Sequence, residues 1–230
     1  MNGYLKNFDI QIDTLKSVYH ELIKGIEDKA TLKVWWVFGG GTALSIFYFN
    51  HRKSFDIDIF INESQIFDFF DPKWYIDESE LFDSSDYRFD GANKHLKLKT
   101  KNNIKVDFLL NESIINKPIK NKILDLDFEL YYESIEDIIA KKIKYRKEDN
   151  LTRDIFDLAV AIDDNSDLIN NLLFTKYISK SDLEMLKHSL KNLDEEIYKI
   201  ELEKIEPNGK KYQKIAKDAK NIILDSLQNI

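Results

Sequence analysis

The chain predicts an α/β (α+β) fold, a domain built on a mixed sheet followed by a helical bundle, and three observations carry that expectation. Short apolar or alternating runs at 34–38, 56–61, 95–100 and 104–110 have the period of two that marks strands. Apolar residues at three- and four-residue spacing open the chain and recur from Ser134 onward, where everything reads helical. Strand-like and helix-like stretches therefore segregate, and the expected division is a sheet domain over 1–130 and a helical bundle over 131–230.

The elements follow in order. Leu5, Phe8, Ile12, Leu15, Tyr19, Leu22 and Ile26 form one buried stripe of an opening helix. The strand at 34–38 leads through glycines into a helix at 42–50, the strand at 56–61 follows, and a further helix is expected near 64–70. In the second half Ile135, Ile138, Ile139 and Ile143 mark one amphipathic helix, and Ile155, Leu158 and Ile162 another. Ser181 and Asp182 are expected to cap a long helix whose Leu183, Leu186, Leu190, Leu193, Ile197 and Ile200 form bundle core until Pro207, Asn208 and Gly209 stop it. A last helix uses Tyr212, Ile215, Ala219 and Ile222.

The stretch from Phe38 to Phe60, FGGGTALSIFYFNHRKSFDIDIF, carries the chemistry. Side chains of a strand alternate faces, so Asp56 and Asp58 point one way while Ile57, Ile59 and Ile61 point the other. Two carboxylates on one face suit Mg²⁺ or Mn²⁺, hard cations held by one or two carboxylates together with substrate phosphates. Gly40, Gly41 and Thr42 follow a strand, and glycines let a backbone approach a phosphate closely. A glycine triplet alone is usually only a turn, and an alternating acid pair alone is usually a solvated strand face. Asp125, Asp127 and Glu129 alternate with Leu124, Leu126, Phe128 and Leu130 in the same manner without a glycine turn before them, and are read as such a solvated face. A third carboxylate, Asp107, shares the polar face of IKVDFLL with Lys105 and is expected as a metal ligand or a general base. Ser54 is read as a hydroxyl that bonds a substrate phosphate or the turn; a phosphate added there would compete for the metal.

These residues resemble a known family. GGTALS at 40–45 and HRKSFDIDIF at 51–60 look like the AbiEii/AbiGii toxin nucleotidyltransferases of the polymerase-β-like superfamily, and IEDIIAKKIKYRKEDNLTRDIFDL at 135–158 resembles the family's downstream signature. The resemblance implies Gly40, Gly41 and Thr42 as a phosphate turn, Arg52, Ser54, Asp56 and Asp58 as the metal block, and Lys142, Arg153, Asp154 and Asp157 from the second block, with Lys142 and Asp157 acting in catalysis. Lys142 and Arg146 would bind triphosphate oxygens. It further implies an NTP substrate, transfer of NMP to an acceptor such as the 3′ end of tRNA, a growth-inhibiting role, and a separately encoded antitoxin. The position before the glycine pair, often lysine in the family, is Gly39 here. Two other readings stay open on the residues alone. One is a small-molecule nucleotidyltransferase whose acidic pocket comes from 63–90, and the other is a non-catalytic interaction module on the same fold.

Composition bounds the rest. A chain of 230 residues, 43% hydrophobic, can bury a real core. It has no cysteine, which excludes disulfides and thiolate metal sites. The polar start MNGYLKNFD and the lack of a long uncharged apolar run predict a cytoplasmic protein with no membrane span. The net charge of −7 argues against a surface that grips nucleic acid all over. Charge is local instead: Glu63 to Asp90 holds nine acids against two bases and is read as a loop or interaction face, while Lys94 to Lys105 holds five lysines and reads as an exposed strand. Lys141, Lys142, Lys144, Arg146 and Lys147 form a basic run that faces solvent or binds phosphates. His51 is read as a turn residue.

Overall fold

The computed structural model describes residues 3–111, 116–146 and 151–228, so Lys147 of the basic run lies outside the described residues. The chain groups into two compact units. The first takes in 3–43, 55–111 and 118–133; the second takes in 44–54, 116–117, 134–146 and 151–228.

The first unit is a seven-stranded mixed sheet with short helices. Its strands are β1 (Trp36–Gly39), β2 (Ile57–Ile61), β3 (Phe82–Asp90), β4 (His95–Thr100), β5 (Lys105–Leu110), β6 (Ile119–Lys120) and β7 (Tyr131–Tyr132), in the order β3-β4-β5-β2-β1-β7-β6. β2 runs antiparallel to β1 and parallel to β5, which makes the sheet mixed. Ile57, Ile59, Ile61, Val106 and Phe108 are buried on one face, as their period of two requires. Phe70 packs its ring 5.0 Å from that of Phe108 on the same face.

The opening helix is less regular than its stripe. α1 (Asp9–Val18) and α2 (Lys24–Ala30) are joined by a π-helical turn at Tyr19–Ile23, and the short helices α3 (Gly40–Leu44) and α4 (Ser64–Phe67) follow β1 and β2 in the chain. The extra residue of a π turn rotates the buried stripe. Val18 and Ile23 are therefore buried, while Tyr19 is only half-buried and stacks on Phe128, 3.9 Å between ring centres. β3 went unforeseen because it is an edge strand: from Ser84 to Arg88 its side chains are exposed on both faces, so no apolar alternation betrays it. Residues 124–130 form no strand, and Asp127 instead meets His20 Nε2 at 3.1 Å.

The second unit is helical, with α5 (Ile135–Arg146), α6 (Thr152–Asp164), α7 (Leu168–Phe174), α8 (Lys180–Lys191), α9 (Glu195–Ile205) and α10 (Gly209–Ser226). Helix α6 is buried on nearly every face because α5, α7, α9 and α10 all pack on it. The single long helix expected from 181 to 206 is two helices. The cap is Ser179, whose hydroxyl accepts the Asp182 N–H while the Asp182 carboxylate accepts the Ser179 N–H. The chain breaks after Lys191 and restarts at the Asp194 cap. That break ends the stripe: Leu183, Leu186 and Leu190 are buried, whereas Ile197 and Ile200 are exposed and Tyr198 turns inward, its hydroxyl donating to the Ala216 carbonyl at 2.8 Å.

Segment 49–53 of this unit is held by residues remote in sequence. The Asn208 N–H donates to the His51 carbonyl (2.7 Å), Asn208 Nδ2 to the Asn50 carbonyl (3.0 Å) and the Tyr212 hydroxyl to the Phe49 carbonyl (2.8 Å). Arg52 pairs with Pro207 in an isolated bridge, and Lys53 meets Glu206 at 2.5 Å.

Candidate active site

In the first unit, strand register assembles a polar row. Gly39 of β1 stands opposite Asp58 of β2, Asp58 opposite Asp107 of β5, and Asp107 opposite Lys97 of β4. Each of these residues sits on the face away from Ile57 and Phe108. The two glycines of the turn are demanded by carboxylates. Gly40 has φ +69°, and a Cβ there would overlap Asp58 Oδ2 and lie 2.7 Å from its Cγ. A Cβ on Gly39 would overlap Glu133 Oε2 and lie 2.7 Å from both Glu133 Cδ and the Phe60 ring. A side chain at position 39 would have to displace Glu133 and Phe60.

Gly40→Ala is expected to destabilise the fold by about 1–3 kcal/mol, the usual cost of a left-handed non-glycine residue, and to displace Asp58. Thermal unfolding checks it, and a variant as stable as wild type would show that the Asp58 carboxylate does not rest on the turn.

Thr42 is buried, and its hydroxyl donates to the Asp56 carbonyl, so it fixes the backbone of Asp56. Gly41 is buried beside it, while Asp56 and Asp58 remain partly exposed. Asp107 is oriented by His95, whose Nε2 lies 2.7 Å from Oδ1, with Lys97 Nζ at 3.9 Å. Among the described residues no three carboxylate or imidazole side chains form a metal-holding group. The donors of the row are carboxylates with no thiolate, the hard oxygen chemistry that suits Mg²⁺ or Mn²⁺ completed by phosphate and water rather than an all-protein cage. Glu133, buried against Gly39, is a carboxylate the sequence did not reveal; it lies just past the two-residue β7, too short to show a pattern.

The second unit gathers Arg52, Lys142, Asp154 and Asp157, and adds His51. Asp157 is fully buried; it accepts from Arg52 Nε (2.6 Å) and Nη2 (2.8 Å) in a bidentate fork and from His51 Nε2 (2.7 Å), and it is ion-paired with Lys142 Nζ at 3.0 Å. Lys142 also pairs with Asp154. Burial opposes charge on Asp157, but Arg52 and Lys142 outweigh it and hold the carboxyl well below the usual carboxylate range. Burial likewise opposes the Lys142 ammonium, and the two carboxylates raise its pKa in spite of it. Ser54 is buried in this unit, and Arg146 is exposed at the end of α5.

Because Asp157 is ionised, His51 Nε2 carries the proton it donates, and Nδ1, 3.4 Å from Ser45 Oγ, accepts. Ser45, His51 and Asp157 thus stand in the order of a hydrolase triad, yet all three are fully buried and no substrate reaches the hydroxyl. Burial lowers the His51 pKa, so the folded protein keeps it neutral. Below about pH 6.5 the unfolded chain binds this proton more readily than the folded one. Stability is therefore expected to fall on acidification from pH 6.5, by up to about 1.4 kcal/mol per pH unit from this group. His51→Gln should flatten that part of the curve in urea unfolding measured between pH 5 and 7, and an unchanged slope would refute it.

A mixed sheet whose central strands bring a glycine turn against paired carboxylates is the framework of a nucleotidyltransferase, and comparison with known families gives that class. The profile of the nucleotidyl transferase AbiEii toxin family, a type IV toxin-antitoxin system, matches residues 25–225; the chain belongs to this family. No curated protein matches it in sequence. Among solved structures it is similar to MenT4, a nucleotidyltransferase toxin of Mycobacterium tuberculosis H37Rv, at 15% identity and TM-score 0.46, covering 74% of this chain and 64% of that one. The chain thus spans under two thirds of MenT4. It is also similar to JHP933 of Helicobacter pylori, at 17% identity and TM-score 0.44, covering 94% of each chain.

Proposed function

We propose that this protein transfers NMP from an NTP to an acceptor hydroxyl, the 3′ end of tRNA, and acts in the cytoplasm as the toxin countered by an antitoxin protein. One observation carries the reading: the Asp58 carboxylate lies against the Gly40 turn and in register with Asp107, so that turn and carboxylates form one surface.

In this reading Asp56 and Asp58 hold Mg²⁺ or Mn²⁺, which when bound neutralises triphosphate charge. The chain's own groups do the positioning. Thr42 fixes Asp56 through its carbonyl, Gly40 and Gly41 form the turn proposed to meet the phosphates, and His95 orients Asp107 as the third carboxylate. Within the second unit Arg52, Lys142 and Asp157, locked together, fix the segment that ends at Ser54. The acceptor oxygen bonds to the α-phosphorus as the bond to pyrophosphate breaks, and the rate gain comes from orientation and charge neutralisation. No helix among the described residues is long and apolar enough to cross a membrane.

The test is transfer of label from each α-³²P NTP to total cellular RNA with Mg²⁺, wild type against Asp56→Ala. Label in a tRNA-sized band, lost in the variant, supports the proposal and names the base. Label that survives Asp56→Ala, or a blank gel from folded protein that binds NTP, overturns it.

A further inference from the structure

The first unit carries a second concave feature. α2, the π turn before it and the short turns between Phe67 and Glu78 enclose a depression of about 500 Å³ floored by Leu22, Gly25 and Ile26 and walled by Phe69, Trp74 and Tyr75. A neighbouring hollow of about 440 Å³ shares Leu22, Trp74 and Tyr75 and reaches Phe82. It lies by Phe70, whose carbonyl accepts the Tyr75 hydroxyl at 3.0 Å. Phe70 in turn packs on Phe108, and Phe108 points to the sheet face opposite Asp107. The groove is therefore not part of the carboxylate row.

Two features of its lining serve no core packing, although Lys73 Nζ lies 4.8 Å from the centre of the Trp74 ring. Trp74 is 65% exposed and Phe69 47%, a costly way to display large apolar side chains. Gly25 sits inside a helix without a positive φ, and a Cβ there would meet nothing within 4 Å. Helix-interior glycine destabilises relative to alanine, and no packing here requires it; it leaves the helix backbone open to whatever lies in the groove. The rim decides what that is. Glu21, Glu78 and Glu80 form its acidic edge against Lys29 and Lys73, Asp68 being paired with Lys94, in a stretch, Glu63 to Asp90, of nine acids and two bases. Such a rim repels polyanions and steers cations.

We propose that this groove docks a segment of a partner protein that presents one large aromatic or aliphatic side chain between lysines or arginines. The apolar side chain covers Gly25 and stands against Trp74, a residue type that dominates binding energy at interfaces, while the flanking cations meet the carboxylate rim.

The test is to pan a random peptide library displayed on phage against the full chain, then measure affinities of the enriched peptides for wild type, Gly25→Trp and Trp74→Ala. Gly25→Trp fills the floor from an open position, and Trp74→Ala removes an exposed wall, so the second reads the groove even where the first impairs folding. The expected result is a consensus with one large apolar residue flanked by Lys or Arg, at least tenfold weaker binding to both folded variants, and weakening with salt. No enriched consensus, a consensus without the basic flank, or affinity unchanged in the folded variants overturns the proposal.

Discussion

Replacing Asp157 by asparagine is expected to lower the unfolding free energy by about 3–5 kcal/mol, the usual cost of removing one partner from a buried ion pair. The carboxylate is fully buried and receives Arg52, Lys142 and His51 together. Its loss removes the carboxylate that Arg52 and Lys142 share, while Lys142 keeps its pair with Asp154. Global stability of a domain is itself only about 5–15 kcal/mol, so the variant should melt far below wild type or fail to accumulate. Asp154→Asn, which deprives Lys142 alone, should cost less. Urea unfolding of both variants followed by circular dichroism decides it. An Asp157→Asn loss under 1 kcal/mol would mean that the network contributes little.

The second large effect is on rate. Asp58→Asn keeps the volume that rests on the Gly40 turn but removes the charge, and should lower NMP transfer by about 10²–10³-fold or more, the scale of losing one preorganised electrostatic group. Its melting temperature should stay near wild type, because Asp58 is partly exposed. Single-turnover transfer with saturating NTP reads the chemical step directly. Wild-type rates in Asp58→Asn would remove the carboxylate row from the mechanism.

What the sequence could show was what is periodic or contiguous. The alternation of Asp58 with Ile57 and Ile59 is local, and so the face that Asp58 takes was legible before any coordinates. The glycine turn was legible too, but not its cause, since the carboxylate above Gly39 belongs to Glu133, almost a hundred positions later. His51 looked like a turn residue because its partner Asp157 is 106 residues away, and no pattern within a segment reports such a pairing. The Leu183 to Ile200 stripe misled for the opposite reason. Spacing persisted across Asn192 to Asp194, where backbone capping ended one helix and began another. β3 stayed hidden because a strand wet on both faces has no reason to alternate.

The fastening of Phe49, Asn50 and His51 by Asn208 and Tyr212 sets an order of events during synthesis. The ribosome makes Arg52 105 residues before Asp157, and Phe49 163 residues before Tyr212. Segment 49–53 thus leaves the ribosome with its ion-pair partner and its backbone donors still untranslated. A nascent or prematurely terminated product can carry the entire Asp56–Asp58 strand and still lack the groups that fix the run leading into it. Completion of this segment is in that sense a late step of the chain's own translation.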